Sequence, residues 1–241
     1  MRQDLLKPNG VWILDSCESA EFVKLAETTY RDVNIALANQ FALFAGRNHI
    51  DVYQVIEAAN SQHFSNIHSP GISVGGHCIP VYPKFYLWND PSAEIVQAAR
   101  SLNESMPLWV QNTILEKFPK PSQIRVLVLG ASYRESVKET YNSGALQINK
   151  LLDNSGYLVY VWDPLFSNEE LGDLGLNPWT VDLIGKIDCV VIANRDDKLM
   201  PFLKDNLINC SLIIDGRNFL GRSFNFEGVP VVTLGLGTPR T

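Results

Sequence analysis

The sequence predicts an α/β protein in which a helical domain precedes a parallel, doubly wound sheet domain. Three observations predict it. Apolar residues recur at helical spacing over residues 18–45 and again over 92–118. Pro119-Lys120-Pro121-Ser122 reads as a linker, and beyond it the period changes from that of helices to that of strands. Short apolar runs then alternate with helical patterning, which is the order that builds parallel strands joined by crossover helices.

Pro8-Asn9-Gly10 is a turn signal, and Val11-Trp12-Ile13-Leu14 reads as a short strand with nothing upstream to pair with. Residues 1–15 are therefore expected to be the remnant of a preceding domain, followed by a helical domain over 16–120 and a sheet domain over 121–241. Asp15 with Glu18 forms a capping-box pattern, and the apolar period continues through Phe22, Leu25, Val33, Leu37 and Phe41 until Gly46. Asp51 is expected to cap a second helix over 51–59. Asn60–Ser73 is polar and irregular, and Asn89-Asp90-Pro91-Ser92 signals the start of another long helix. Pro107 is expected to kink or break that helix, because proline lacks the amide proton and its ring meets the carbonyl one turn back. In the sheet domain, strands are expected over 124–130, 158–162, 189–193, 212–215 and 231–234, with a helix over 143–155.

The chain has 241 residues, 46% of them hydrophobic and 19% charged, which is the composition of a globular protein with substantial cores. A net charge of −6 with Lys and Arg scattered singly gives no footprint for nucleic acid. No apolar run reaches bilayer length and residues 1–10 hold no signal-peptide core, so the expectation is a cytoplasmic protein with no membrane partner. Cys17, Cys78, Cys189 and Cys210 are far apart with no Cys-x-x-Cys pair, which argues against a zinc site or a disulfide framework.

Gly71-Ile72-Ser73-Val74-Gly75-Gly76-His77-Cys78-Ile79-Pro80 places a cysteine at the end of a glycine-rich turn. The glycines allow close backbone approach to a ligand, and Pro80 stops a helix from running across the thiol. Such a cysteine is either an accessible nucleophile, with His77 as its neighbour, or a buried structural thiol. On the first helix Lys24, Thr28 and Arg31 share one face, as either a functional row or a solvated one. The first turn of the sheet domain, Gly130-Ala131-Ser132-Tyr133-Arg134-Glu135, lacks the Gly-x-Gly-x-x-Gly loop of dinucleotide sites. Asp163 at the end of the second strand is then better read as a strand-end carboxylate than as a ribose ligand.

Residues 20–40 (AEFVKLAETTYRDVNIALANQ), GISVGGHCIPVYP at 71–83 and VLVLGASYRESVKETYNSGA at 126–145 resemble, in order, blocks of the UDP-glucose/GDP-mannose dehydrogenase family of nucleotide-sugar dehydrogenases. The resemblance covers nearly the whole chain. It implies a central helical dimerisation domain and a C-terminal Rossmann-like domain that binds the UDP-sugar, with the family's N-terminal NAD-binding domain absent from these residues. It also implies a homodimer through the central helices and an NAD-dependent, two-step oxidation of a hexose C6 hydroxyl to a carboxylate.

In that chemistry Cys78 would be the nucleophile that carries a thiohemiacetal and then a thioester, and Lys24 would stabilise negative charge on the substrate oxygen. Thr28 stands where the family usually has Asn, as a weaker hydrogen-bond donor to the same oxyanion. Arg31, Gly75 and His77 from the helical domain, with Tyr133 and Arg134 from the sheet domain, would touch the sugar nucleotide. Tyr82 stands where the family usually has Asp and cannot act as a carboxylate base, and Tyr141 replaces a frequently basic residue. Two readings follow: the C-terminal part of a UDP-sugar 6-dehydrogenase, or a naturally truncated, non-catalytic relative that dimerises and binds a nucleotide sugar. Similarity of the blocks, with His63, Asn66 and His68 near the loop, leans toward a UDP-N-acetylhexosamine, with UDP-glucose as the alternative and His63 and His68 read equally as exposed loop residues.

Overall fold

The computed structural model describes residues 10–206, 210–221 and 228–237. The helical part comprises α1 (Cys17–Arg47), α2 (Val52–Asn60), α3 (Tyr82–Asn89) and α4 (Glu94–Lys117). The sheet part comprises β1 (Arg125–Leu129), α5 (Gly144–Asn154), β2 (Leu158–Trp162), α6 (Asn168–Asp173), β3 (Cys189–Ile192), α7 (Leu199–Asn206), β4 (Leu212–Asp215) and β5 (Val231–Thr233). All strand pairs are parallel, in the order β2-β1-β3-β4-β5. The strand order reverses between β1 and β3, where a crevice opens beyond the carboxyl ends of the strands.

The long helices and all five strands form where the periodicity places them. Asp51 caps α2 by accepting the Tyr53 and Gln54 amides at 2.7 and 3.1 Å. Other local expectations are corrected. Ser16, rather than Asp15, caps α1, accepting the Ser19 amide at 3.1 Å. Val11–Leu14 is not a strand, and Trp12 and Ile13 are exposed; Pro8 and Asn9 of the expected turn lie outside the described residues. Helix α4 runs through Pro107 as one element. The buried face Val96, Ala99, Met106, Val110 and Ile114 outweighs the roughly 3 kcal/mol an internal proline costs. Helix α3 is built from Tyr-Pro-Lys-Phe-Tyr-Leu-Trp-Asn, has no side-chain cap and carries no helical apolar stripe, so periodicity does not reveal it.

Alternation along β1 explains its continuous apolar run. Val126 and Val128 point to one side, against Ala145, Ile148 and Leu152 of α5, and Leu127 and Leu129 to the other, with Leu199, Phe202 and Leu203 of α7. The first of these cores does not stop at the 119–122 linker: it also takes in Met106, Val110 and Ile114 of α4 and Ala38, Ala42 and Val52 of α1 and α2. At the far end the two parts zip together again. The Val52 amide donates to the Gly235 carbonyl, the Gly237 amide to Ile50, and the Tyr53 hydroxyl to Leu234. Among the described residues no helix is long and apolar enough to cross a membrane.

Candidate active site

The glycine-rich segment 71–80 is irregular and lies between the two parts of the molecule. Its middle is pressed onto the loop after β1. A Cβ on Gly75 would lie 2.7 Å from the Tyr133 Cβ, and one on Gly76, whose φ is +92°, would lie 2.9 Å from the Tyr133 ring. Only glycine fits this approach. The Gly76 amide donates to the Tyr141 carbonyl at 2.8 Å and the Asn142 side-chain amide donates to the Gly76 carbonyl at 3.1 Å. His77 hydrogen-bonds Glu139 through Nε2, and its ring stacks on Tyr141 with centroids 4.2 Å apart. His77 thus faces the sheet part.

Cys78 is half-buried, and its carbonyl accepts the Tyr82 amide at 2.9 Å as the chain enters α3. The Lys24 ammonium lies 5.4 Å from the centroid of the Tyr82 ring. Tyr82 thus binds the Cys78 carbonyl through its backbone amide and carries the Lys24 ammonium over its ring. Lys24 also pairs with Glu27 at 3.3 Å, and Glu27 pairs with Arg31 at the same distance, so Arg31 is held on the exposed face of α1. Thr28 departs from its expected role: it is fully buried, and its hydroxyl donates to the Lys24 carbonyl at 2.7 Å and to that of Leu25 at 3.2 Å. A threonine inside a helix satisfies its proton on the preceding turn, which leaves none for an oxyanion.

Beyond the strand ends lies a cavity of about 170 Å³ lined by Arg134, Arg195, Arg217, Glu135, Asn194 and Ser69-Pro70. Arg195 is braced by donating through Nε and Nη2 to the Arg217 carbonyl at 2.8 and 2.5 Å. Among the described residues no carboxylate lies within ion-pair distance of these three guanidinium groups. Burial, and then the neighbouring Arg195, lowers the pKa of Arg217, as expected of a desolvated cation beside another. Three arginines in one crevice at the switch point suit a diphosphate.

Of these residues the motifs single out only Arg134. Asn194, Arg195 and Arg217 follow the ends of β3 and β4. Their position two or three residues past the carboxyl ends of strands at or next to the switch point is the signal that could have found them.

Asp163 accepts the Ser132 amide and hydroxyl at 2.8 and 2.9 Å and the Leu165 amide at 2.8 Å. Its carboxylate braces the loop after β1 rather than facing outward for a ribose. With Gly-x-Gly-x-x-Gly also missing, this sheet does not fit a dinucleotide. Among the described residues no cluster of three or more His, Cys, Asp or Glu could hold a metal ion.

Two models of one family match the chain in sequence. The central domain of the UDP-glucose/GDP-mannose dehydrogenase family matches residues 18–105, and that family's UDP binding domain matches 127–222. The chain belongs to this family. The thiol and lysine fall within the first match and the three arginines of the crevice within the second. Among relatives, the UDP-N-acetyl-D-mannosamine dehydrogenase of Pyrococcus horikoshii is 35% identical over 231 residues, covering 91% of this chain and 54% of the relative. The enzyme of that name from Methanocaldococcus jannaschii is 36% identical over 235 residues, at 95% and 54%. The solved P. horikoshii structure superposes with a TM-score of 0.80 at 32% identity, covering 94% of this chain and 54% of that one. A structure of Cap5O, the UDP-N-acetyl-mannosamine dehydrogenase of Staphylococcus aureus, gives 0.75 at 32% identity, with 92% and 52% covered. The chain spans about half the length of the curated relatives it matches.

Proposed function

We propose that this chain forms the thiol-bearing and sugar-nucleotide-gripping part of a UDP-sugar 6-dehydrogenase. The observation that carries the reading is the contact of Gly75 with Tyr133, which sets the Cys78 loop directly against the residue preceding Arg134. A sugar nucleotide with its diphosphate on Arg134, Arg195 and Arg217 would extend its hexose toward Cys78. There Cys78, its thiol proton given up to solvent, adds through Sγ to the C6 aldehyde carbon; the C–S bond forms as the C=O π pair moves onto oxygen, where the Lys24 ammonium stabilises the negative charge. The hydride acceptor of the family reading, NAD, is assigned to no residue of this sheet. By analogy with the matched relatives, the hexose is proposed to be an N-acetylhexosamine. Phe22, Leu37, Phe41 and Phe44 on α1 and Ile95, Leu108 and Leu115 on α4 are exposed apolar residues that suit a homodimer through these helices.

Calorimetry tests the reading: UDP-N-acetylmannosamine should bind the chain and NAD should not, and the reverse result would sink it. When a matching NAD-binding domain restores turnover, Cys78→Ser should abolish acid formation, because a hydroxyl is a much poorer nucleophile than a thiol at neutral pH. Light scattering should give twice the chain mass at micromolar concentration. A second reading, a non-catalytic relative that binds the nucleotide sugar, is favoured by the Thr28 hydroxyl being spent on its own helix. Binding without turnover in the reconstituted protein would select it.

A further inference from the structure

Beneath the cysteine loop runs a chain of buried polar groups that the chemistry above does not use. Asp32 on α1 is fully buried and receives Arg100 of α4 in a two-pronged ion pair, Nε to Oδ2 at 2.5 Å and Nη2 to Oδ1 at 2.6 Å. Asn103, one turn along α4, donates to Asp32 Oδ1 at 2.8 Å and to its backbone carbonyl at 2.9 Å. The Asn103 carbonyl oxygen accepts from Asn39 of α1 at 2.9 Å. All four residues are at least nine-tenths buried.

Both ends of this chain leave the helices and land on the loop. Asn39 Oδ1 accepts the Gly71 amide at 2.8 Å, where the loop begins. Arg100 Nη1 reaches the Pro80 carbonyl at 3.5 Å, where the loop ends. Cys78 lies between these anchors, and the same helix that supplies Asp32 and Asn39 carries Lys24. Burying a charge pair costs desolvation that apolar packing avoids, as seen in the pKa of Asp32, which burial raises although Arg100 opposes it. Stability alone is therefore a weak reason for the pair.

We infer that Asp32, Arg100, Asn103 and Asn39 are positioning residues that hold the Cys78 loop at both ends in register with Lys24. The inference rests on the reading of Cys78 as the nucleophile. Loss of the Arg100 contact would free the Pro80 end of the loop while Tyr133 and Tyr141 still hold its middle.

The test uses the whole chain with Arg100→Lys, which keeps the charge but not the fork. Two readouts are taken: iodoacetamide labelling of Cys78 by peptide mass spectrometry, with exposed Cys17 as the reference in the same molecule, and amide hydrogen exchange. The Cys78-to-Cys17 rate ratio should rise at least about threefold, and the Gly71 amide should exchange faster, while the amides of Gly76 and β3 keep their protection. If Arg100→Lys does not fold, Asp32→Leu with Arg100→Met replaces the pair by apolar groups and carries the same expectation. An unchanged ratio and Gly71 amide in a folded variant would overturn the inference. So would uniform acceleration across the sheet, which marks a general stabilising role. Neither readout needs a bound sugar or hydride transfer, so a chain with these shifts but no UDP-sugar binding fails the functional reading alone.

Discussion

Gly75 and Tyr133 touch so closely that the backbone of one packs against the Cβ of the other, at 2.7 Å from where a Gly75 Cβ would sit. This contact joins the cysteine loop of the helical part to the first loop of the sheet. Gly75→Ala should therefore push the loop off Tyr133 and lower UDP-sugar affinity by about tenfold or more, corresponding to roughly 1.4 kcal/mol. The circular dichroism of the variant should stay that of the parent. Parent-like affinity in calorimetry would show that the contact does not shape the site.

The arginine crevice predicts a charge-dependent ligand. Arg134→Ala and Arg217→Ala should each weaken UDP-sugar binding by about 1.5–3 kcal/mol, since each removes charge-assisted hydrogen bonds from a diphosphate. Added salt should weaken the parent more than either variant. Titrations at two ionic strengths check both statements.

Ile148 of α5 lies in the core that also holds Val110 and Ile114 of α4. Because that core spans the linker, the helical and sheet parts should unfold together in one calorimetric transition. Ile148→Ala should lower stability by about 2–5 kcal/mol and move the whole transition. Two resolved transitions, with only the later one shifted, would contradict the shared core.

Cys210 is buried two residues before β4, and burial pushes its thiol pKa up to about 11 from the usual 9.0. In the unfolded chain the thiol loses its proton at the ordinary value. Between these values the unfolded state holds fewer protons, so stability falls as pH rises, by about 1.4 kcal/mol per pH unit for this thiol. Below pH 9 the effect vanishes. Urea unfolding of the parent and Cys210→Ala should show a difference that is constant from pH 7 to 8.5 and narrows toward pH 11, at the parent's expense.

Local chemistry in the chain determined the elements whose signal repeats along their own length. The apolar period of α1 and α4, the two-sided burial of β1 and the Asp51 cap each depend on residues within a turn or two of one another. The Gly71–Pro80 loop was legible for the same reason, since glycine and proline act on their own backbone. Lys24, Cys78 and Arg134 were singled out as motif residues, and the fold places the first two around Tyr82 and the third in the crevice.

Other features depend on what lies across the molecule, and only the tertiary structure decided them. Helix α3 has no stripe of its own and forms where α1 and α4 pack against it. Pro107 stays inside a helix because the buried face of α4 outweighs a local cost. Arg195 and Arg217 become neighbours of Arg134 only when β3 and β4 line up beside β1. Thr28 and Asp163 turned inward, since a short polar side chain takes the nearest backbone group with hydrogen-bonding capacity to spare once water is excluded. Whether a polar residue meets solvent, substrate or its own backbone is a matter of burial, and burial is set by the whole chain.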